Sequence, residues 1–265
     1  ATGYEYMWKA DPKFWGRTSP VLFPFVGAVK DKMFRTKGQT FSMGQHGFAR
    51  DMDFKLASQT EDTLWFELDS NEETLEKYPY AFVLKIGYQL VENKVNVMWK
   101  VENPGSEVLP FSIGGHPAFN VPAQGNNDKK EDYLLTFNGE KSLTYLLLDP
   151  ASGTALPDQT KTLELTDGTC HIDAHMFDND ALVFDNQIEK AGIAFPDGTP
   201  YLELTCHRFP NFGIWSVPGS SFVCLEPWMG RCDDCGFKGD LAEKTNINAL
   251  NVDEIFNASY EIKIY

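Results

Sequence analysis

"AFVLKIGYQLVENKVNVMWKVENPG", residues 81–105, places an apolar side chain at nearly every second position on either side of a polar break. Phe82, Leu84, Ile86, Tyr88 and Leu90 fall on one face. After "VENK" (91–94), Val95, Val97, Trp99 and Val101 fall on another, with Asn96, Lys100 and Glu102 opposite. A period of two is that of a pleated strand with one buried face, and the break predicts a hairpin of two antiparallel strands. The same alternation runs through "TLWFEL" (63–68), "YLELTC" (201–206), "FGIWSV" (212–217) and "ASYEIKIY" (258–265). Helical signals are confined to "EETLEKYP" (72–79), a turn or two stopped by Pro79, and "GDLAEKTNI" (239–247). With 21 Gly and 15 Pro punctuating short strands, the expected fold is all-β, a large antiparallel β-sandwich. There is no internal repeat. The polar stretch "PAQGNNDKKEDY" (122–133) reads as a surface loop, because strand pattern resumes directly after it. One domain over residues 1–265 is expected.

Composition narrows the function classes. The 265 residues are 42% hydrophobic with 20 Phe, enough for a substantial core and incompatible with a disordered chain. A formal net charge of −15 repels nucleic acid and anionic membranes, so neither is an expected partner. No apolar run approaches the roughly 20 residues of a spanning helix. Five Cys, an odd number scattered through the second half, suggest a reducing, cytoplasmic setting. The opening "ATGYEYMWKADPKF" has neither the basic head nor the apolar middle of a signal peptide.

Three short segments hold candidate chemistry. In "SSFVCLEPWMG" (220–230), Phe222, Cys224 and Glu226 share one face of a strand, and Val223 and Leu225 the other. Pro227 ends the run, so Glu226 stands at a sheet rim. Half-buried there, its pKa rises toward that of a general base; turned to water, it is an ordinary strand-end Glu. In "FSIGGHPAFNVP" (111–122), Gly114 and Gly115 admit another group close to the backbone, and Pro117 stiffens the presentation of His116. A lone His is more often a structural hydrogen-bonder than a catalyst. In "GQHGFARDMDF" (44–54), His46 lies between glycines with Arg50 four residues on.

"QHGFAR", "GGHPAFN" and "LEPWMG", in that order, resemble the aldose 1-epimerase (galactose mutarotase-like) family, and within it the LacX-like branch. "DPKFWGRTSPVLFPFVG" (11–27) and "FDNDALVF" (177–184) are similar to that branch too. The resemblance covers nearly the whole chain. It implies a galactose mutarotase-like supersandwich with an open sugar cleft, and no metal or organic cofactor. It implies Glu226 as general base, His116 as general acid, and His46 as a substrate-binding residue near the reactive end. Asp180 matches the sugar-binding aspartate, with Asp178 competing. For the cationic clamp, Arg17 and Lys32 are the two nearest matches. The resemblance further implies that the family domain's first strand or two are absent from this sequence.

The implied reaction explains the residue types. Anomers of an aldohexose exchange when a base takes the proton of the C1 hydroxyl while an acid protonates the ring oxygen. The open aldehyde turns about C1–C2 and recloses on its other face. A carboxylate and an imidazole suffice, each contributing about 10²–10⁴-fold. The expected ligand is therefore a sugar or sugar phosphate. Lys30, Lys32, Arg35 and Arg50 form either a basic rim for a 6-phosphate or ordinary surface charge. The chain alone does not reveal its oligomeric state.

Two other readings stand beside the enzyme. One is a non-catalytic carbohydrate-binding β-sandwich. The other makes His46, His116 and Glu226 a metal triad in a cupin-like barrel. "CDDC" (232–235) lacks the second cysteine pair of a zinc site, and "HIDAH" (171–175) lacks a third ligand, so no metal site is expected at either.

Overall fold

The computed structural model describes residues 3–265. The hairpin forms as its alternation predicts. Strand Val83–Val91 pairs antiparallel with Lys94–Glu102 in unbroken register, from Val83 opposite Glu102 to Val91 opposite Lys94. The intervening turn has Glu92 at φ 55°. Leu84, Ile86, Val97, Trp99 and Val101 are buried. Tyr88 and Leu90, expected on the same apolar face, are exposed. Tyr88 is exposed although Val97, opposite it in the hairpin, is buried, and Leu90 lies one pair from the turn.

This hairpin lies within a nine-stranded antiparallel sheet. Its order is Thr169–His171, Leu134–Phe137, Lys190–Ala194, Pro200–Thr205, Ile255–Ile264, Lys94–Glu102, Val83–Val91, Thr63–Asp69 and Lys55–Gln59. An eight-stranded sheet lies against it, ordered Val21–Leu22, Ile113–Gly115, Phe222–Met229, Asn211–Trp215, Leu182–Asp185, Ser142–Leu148 and Ala155–Glu164. Its eighth strand, Ala118–Asn120, also pairs with Phe222–Met229. Every pairing between these strands is antiparallel, and the architecture is the expected all-β sandwich. Among the described residues the one α-helix, Glu72–Lys77, is held by an Asn71 capping box; Leu241–Glu243 is a single 3-10 turn.

The strand Phe222–Met229 runs on through Pro227, its expected end, so Glu226 stands within an interior strand and not at a rim. This strand divides two environments. Val223 and Leu225 join Ile113, Phe119, Phe212 and Ile214 in the large apolar core, which also contains Leu84, Trp99, Leu204 and Ile262 of the opposite sheet. Phe222 and Cys224 point the other way, into a smaller cluster with Trp8, Phe14 and Trp15 from the N-terminal segment. Trp228 packs on that outer side with Leu22, Val26 and Val183. The sequence alternation thus puts one face of the strand between the sheets and hands the other to whatever sits on the outer surface. Among the described residues, no helix is long and apolar enough to cross a membrane.

Candidate active site

A cleft of about 300 Å³ opens on that outer face, large enough for one small ligand. Glu226 and His116 form its floor. Ile113–Gly115 pairs with the C-terminal half of Phe222–Met229, with Gly114 opposite Trp228. Ala118–Asn120 pairs with the N-terminal half, with Ala118 opposite Cys224. The register is continuous across the gap, so His116 falls opposite Glu226 as a cross-strand pair. The gap exists because Pro117 and Pro227 have no N–H to donate to the ladder. His116 Nε2 lies 3.3 Å from Glu226 Oε2. The two groups lie side by side at the bottom of the cleft.

Both groups are withdrawn from water. Glu226 is 1% exposed and His116 6%. Burial pushes the Glu226 carboxyl well above the usual carboxylate range, and the nearby charge of Asp180 adds to this. Burial likewise lowers His116 to about 3, helped by the positive charges of Arg50 and Arg17. Trp15 stacks on the His116 ring at 4.7 Å between centroids and 26° between planes, and Trp215 meets it edge-on at 5.7 Å. Glu226 Oε2, His116 Nδ1 and Trp228 Nε1 are buried with no hydrogen-bond partner. Orphaned polar atoms clustered at one spot are costly in a folded protein, and a ligand rich in hydroxyls would satisfy them.

The Trp228 ring is fixed by two glycines. A Cβ at Gly213 would come within 2.4 Å of it, and one at Gly114 within 2.6 Å. The close approach read from "GGH" therefore serves an indole at the cleft floor.

His46 is brought to the same cleft, with its ring centroid 5.5 Å from that of His116. Its Nδ1 accepts the Gly27 N–H at 3.0 Å, and its own N–H donates to the Gly27 carbonyl at 2.9 Å. Burial, then the neighbouring His116, Arg50 and Arg17, hold it neutral, which leaves Nε2 carrying the proton as a donor. Its φ of 65° is unusual for a residue other than glycine, as is the 73° of Asp180. Strain of this kind collects where a side chain must be aimed.

Asp180 lines the cleft, and its Oδ1 accepts the Ala181 N–H. Asp178 is instead engaged by His175 Nδ1 at 2.8 Å on the surface. Arg50 lines the cleft with its Nη2 on the Gln45 carbonyl, and its buried Nε makes no hydrogen bond but lies 3.8 Å from Asp51 Oδ2. Arg17 lies behind it, paired with Asp51 at 2.6 Å and donating to the Arg50 carbonyl. Lys32 does not line the cleft. It sits exposed at φ 55° in a 3-10 turn whose carbonyl is tied to Met43, which carries it away from the sugar-sized space. Lys30 and Arg35 are likewise spent elsewhere, on Asp31 and the Lys238 carbonyl, so of the suggested basic rim only Arg50 reaches the cleft.

The suggested metal triad is not the grouping that forms. Among the described residues, the compact set of ligand atoms is His116, Cys224 and Glu226, within 4.8 Å of one another. In "CDDC" the buried Asp233 pairs with Lys244, and Asp234 with Arg231 at 2.7 Å, so the segment braces a loop. In "HIDAH", His171 is exposed at the end of its strand and His175 is used by Asp178. Trp15, Gln45 and Trp215 line the cleft without having been singled out from the sequence. The available signal was Trp215 at an alternate position from Gly213, on the face that the register assigns to Cys224 and Glu226.

Residues 2–197 match the family model described as aldose 1-epimerase, a span that includes His46 and His116 and stops short of Glu226. The chain belongs to the aldose 1-epimerase family. The chromosomal LacX protein of Lactococcus lactis subsp. lactis is 31% identical over 271 aligned residues, covering 99% of this chain and 90% of that protein. Among solved structures, a galactose mutarotase related enzyme from Lactobacillus acidophilus is 32% identical with a TM-score of 0.93, over 100% of this chain and 88% of that one. A galactose mutarotase-like protein from Lactobacillus casei ATCC 334 is 28% identical with a TM-score of 0.87, over 99% and 90% respectively. The sandwich described above is thus the galactose mutarotase-like fold.

Proposed function

We propose that the protein is a mutarotase that interconverts the α and β anomers of an aldohexose or its 6-phosphate. The observation that supports this best is the His116–Glu226 contact at the floor of a sugar-sized cleft, with hydrogen-bonding atoms of both residues unpartnered. The two pKa shifts favour a protonated carboxyl beside a neutral imidazole over an ion pair. Either arrangement holds one proton, which is what ring opening requires: one group gives a proton to the ring oxygen while the other takes one from the C1 hydroxyl. Both oxygens are bonded to C1, so two groups in contact with each other reach both. Ring closure reverses the roles, and the pair works from either tautomer. His46 Nε2–H and Asp180 are assigned to the sugar hydroxyls, one as donor and one as acceptor.

Arg50 and Arg17 share the single carboxylate of Asp51, which leaves one net positive charge beside the cleft of a strongly acidic protein. This favours a phosphorylated hexose over a neutral one. Following optical rotation of freshly dissolved glucose, galactose and their 6-phosphates tests both levels. Faster anomerisation of any of them supports the activity, and a preference for the phosphates that is lost in Arg50→Gln supports the clamp. Tight binding without faster anomerisation would establish the carbohydrate-binding reading instead.

A further inference from the structure

Among the described residues, Cys224 is the side chain whose ligand atom groups with those of the acid–base pair and which neither proton transfer nor sugar binding uses. It precedes Glu226 by two positions on the same face of the strand, opposite Ala118 and Trp215, and is fully buried. Its thiol sulfur, an imidazole nitrogen of His116 and a carboxylate oxygen of Glu226 lie within 4.8 Å of one another. The separation of His116 Nε2 and Glu226 Oε2, 3.3 Å, is about the ligand–ligand spacing that a tetrahedral ion with bonds of ~2.0–2.3 Å imposes. Of the candidate ligand atoms, Glu226 Oε2 is buried with no hydrogen-bond partner.

The donor set identifies the ion class. One thiolate, one imidazole and one carboxylate suit zinc and similar thiophilic dications, whereas magnesium and calcium take oxygen ligands. Three protein ligands leave a fourth corner; His116 and Glu226 line the cleft, from which a water or a sugar oxygen would complete the shell, while Cys224 lies behind them in the apolar cluster with Trp8 and Phe222. The surrounding charge is mixed, with Asp180 favouring a cation and Arg50 and Arg17 opposing one. Neutralisation by a thiolate and a carboxylate at the ion itself outweighs the more distant guanidiniums.

We propose that His116, Cys224 and Glu226 form a binding site for a thiophilic divalent cation of the zinc class, which blocks the acid–base pair and is exclusive with productive sugar binding. Coordination occupies the imidazole lone pair and the carboxylate oxygen that proton transfer requires, and releases the thiol proton and any proton on Glu226. The cation is an inhibitor in this role, since anomerisation by the pair moves protons only.

The experiment is calorimetric titration of the full chain, stripped with chelator, with zinc chloride, together with absorption spectra after adding cobalt(II). One equivalent of zinc and a thiolate-to-cobalt charge-transfer band are expected. Cys224→Ser, which keeps the volume, and Cys224→Ala should each lose the band and weaken zinc binding by more than about tenfold, the loss typical of damage to a metal site. Zinc should also slow anomerisation by the parent but not by Cys224→Ser, whose turnover without metal stays at the parent level. Zinc binding that is absent, unchanged in both Cys224 variants, or abolished instead in Cys232→Ala would overturn the proposal. Calorimetry and spectra do not require turnover, so a chain that binds zinc through Cys224 yet leaves sugars unchanged would sink the mutarotase reading and leave this one standing.

Discussion

Glu226 and Asp233 are seven residues apart and almost equally buried, and the fold treats them in opposite ways. Asp233 is fully provided for: Lys244 pairs with one oxygen, and the Lys30 N–H donates to the other at 2.9 Å. Glu226 has an oxygen with no hydrogen-bond partner, a histidine held neutral beside it, and a second carboxylate nearby that adds to its burden. A buried carboxylate with its cation in place braces a loop. One left without a cation, at the floor of a cleft, is a group kept in reserve for a ligand. Burial alone does not separate structural from functional acids; the partner list does.

The contrast breaks most visibly if Glu226 or His116 is replaced. Glu226→Gln and His116→Asn should each cut anomerisation by about 10²–10⁴-fold with the fold retained, as read by polarimetry beside circular dichroism. Activity within a few-fold of the parent would remove the pair from the chemistry. Asp233→Ala is the structural counterpart. It strands the Lys244 ammonium in the interior and should cost about 3–5 kcal/mol in denaturant unfolding, far more than Glu226→Gln.

A smaller effect sharpens the comparison among surface acids. Asp180→Asn should raise KM roughly ten- to a hundredfold, the worth of a charge-assisted hydrogen bond to a sugar hydroxyl. Asp178→Asn, which loosens only the exposed His175 pair, should leave KM alone and shift stability by less than about 0.5 kcal/mol. Equal effects from the two would undo the assignment of Asp180 to the sugar.

The smallest effect concerns the stability cost of Glu226 itself. Its folded pKa is raised, so the stability it contributes is present below the ordinary carboxylate pKa and is lost as pH rises through the folded value. Gln titrates nowhere in this range. Glu226→Gln should therefore gain on the parent as pH rises from acid toward neutral, by about 1 kcal/mol, the usual size of an active-site trade-off. A melting-temperature difference that is flat across that range would contradict the raised pKa.

Much of this was readable before any coordinates. The alternation in 81–105 and 63–68 located strands, and that in 220–228 put Phe222, Cys224 and Glu226 on one face, because side-chain direction in a strand is a local property of the backbone. Where the reading went astray, the reason was non-local. Tyr88 and Leu90 obey the pattern and are exposed, since alternation marks a face without saying which of its positions another layer covers. Lys32 matched a cation by position, yet a left-handed turn points it elsewhere. Trp15 lies in an irregular segment with no periodicity to read, and only packing places it on His116.

The sequence by itself determined that the chain makes half-buried antiparallel strands, and that a proline follows a histidine at 116–117 and an acid at 226–227. Only the tertiary structure decided that those two places face each other, in a register that puts His116 against Glu226. The physical reason is one of range. Which way a side chain points is set within a few residues, whereas the neighbour and register of a strand are selected by burial summed over a whole sheet.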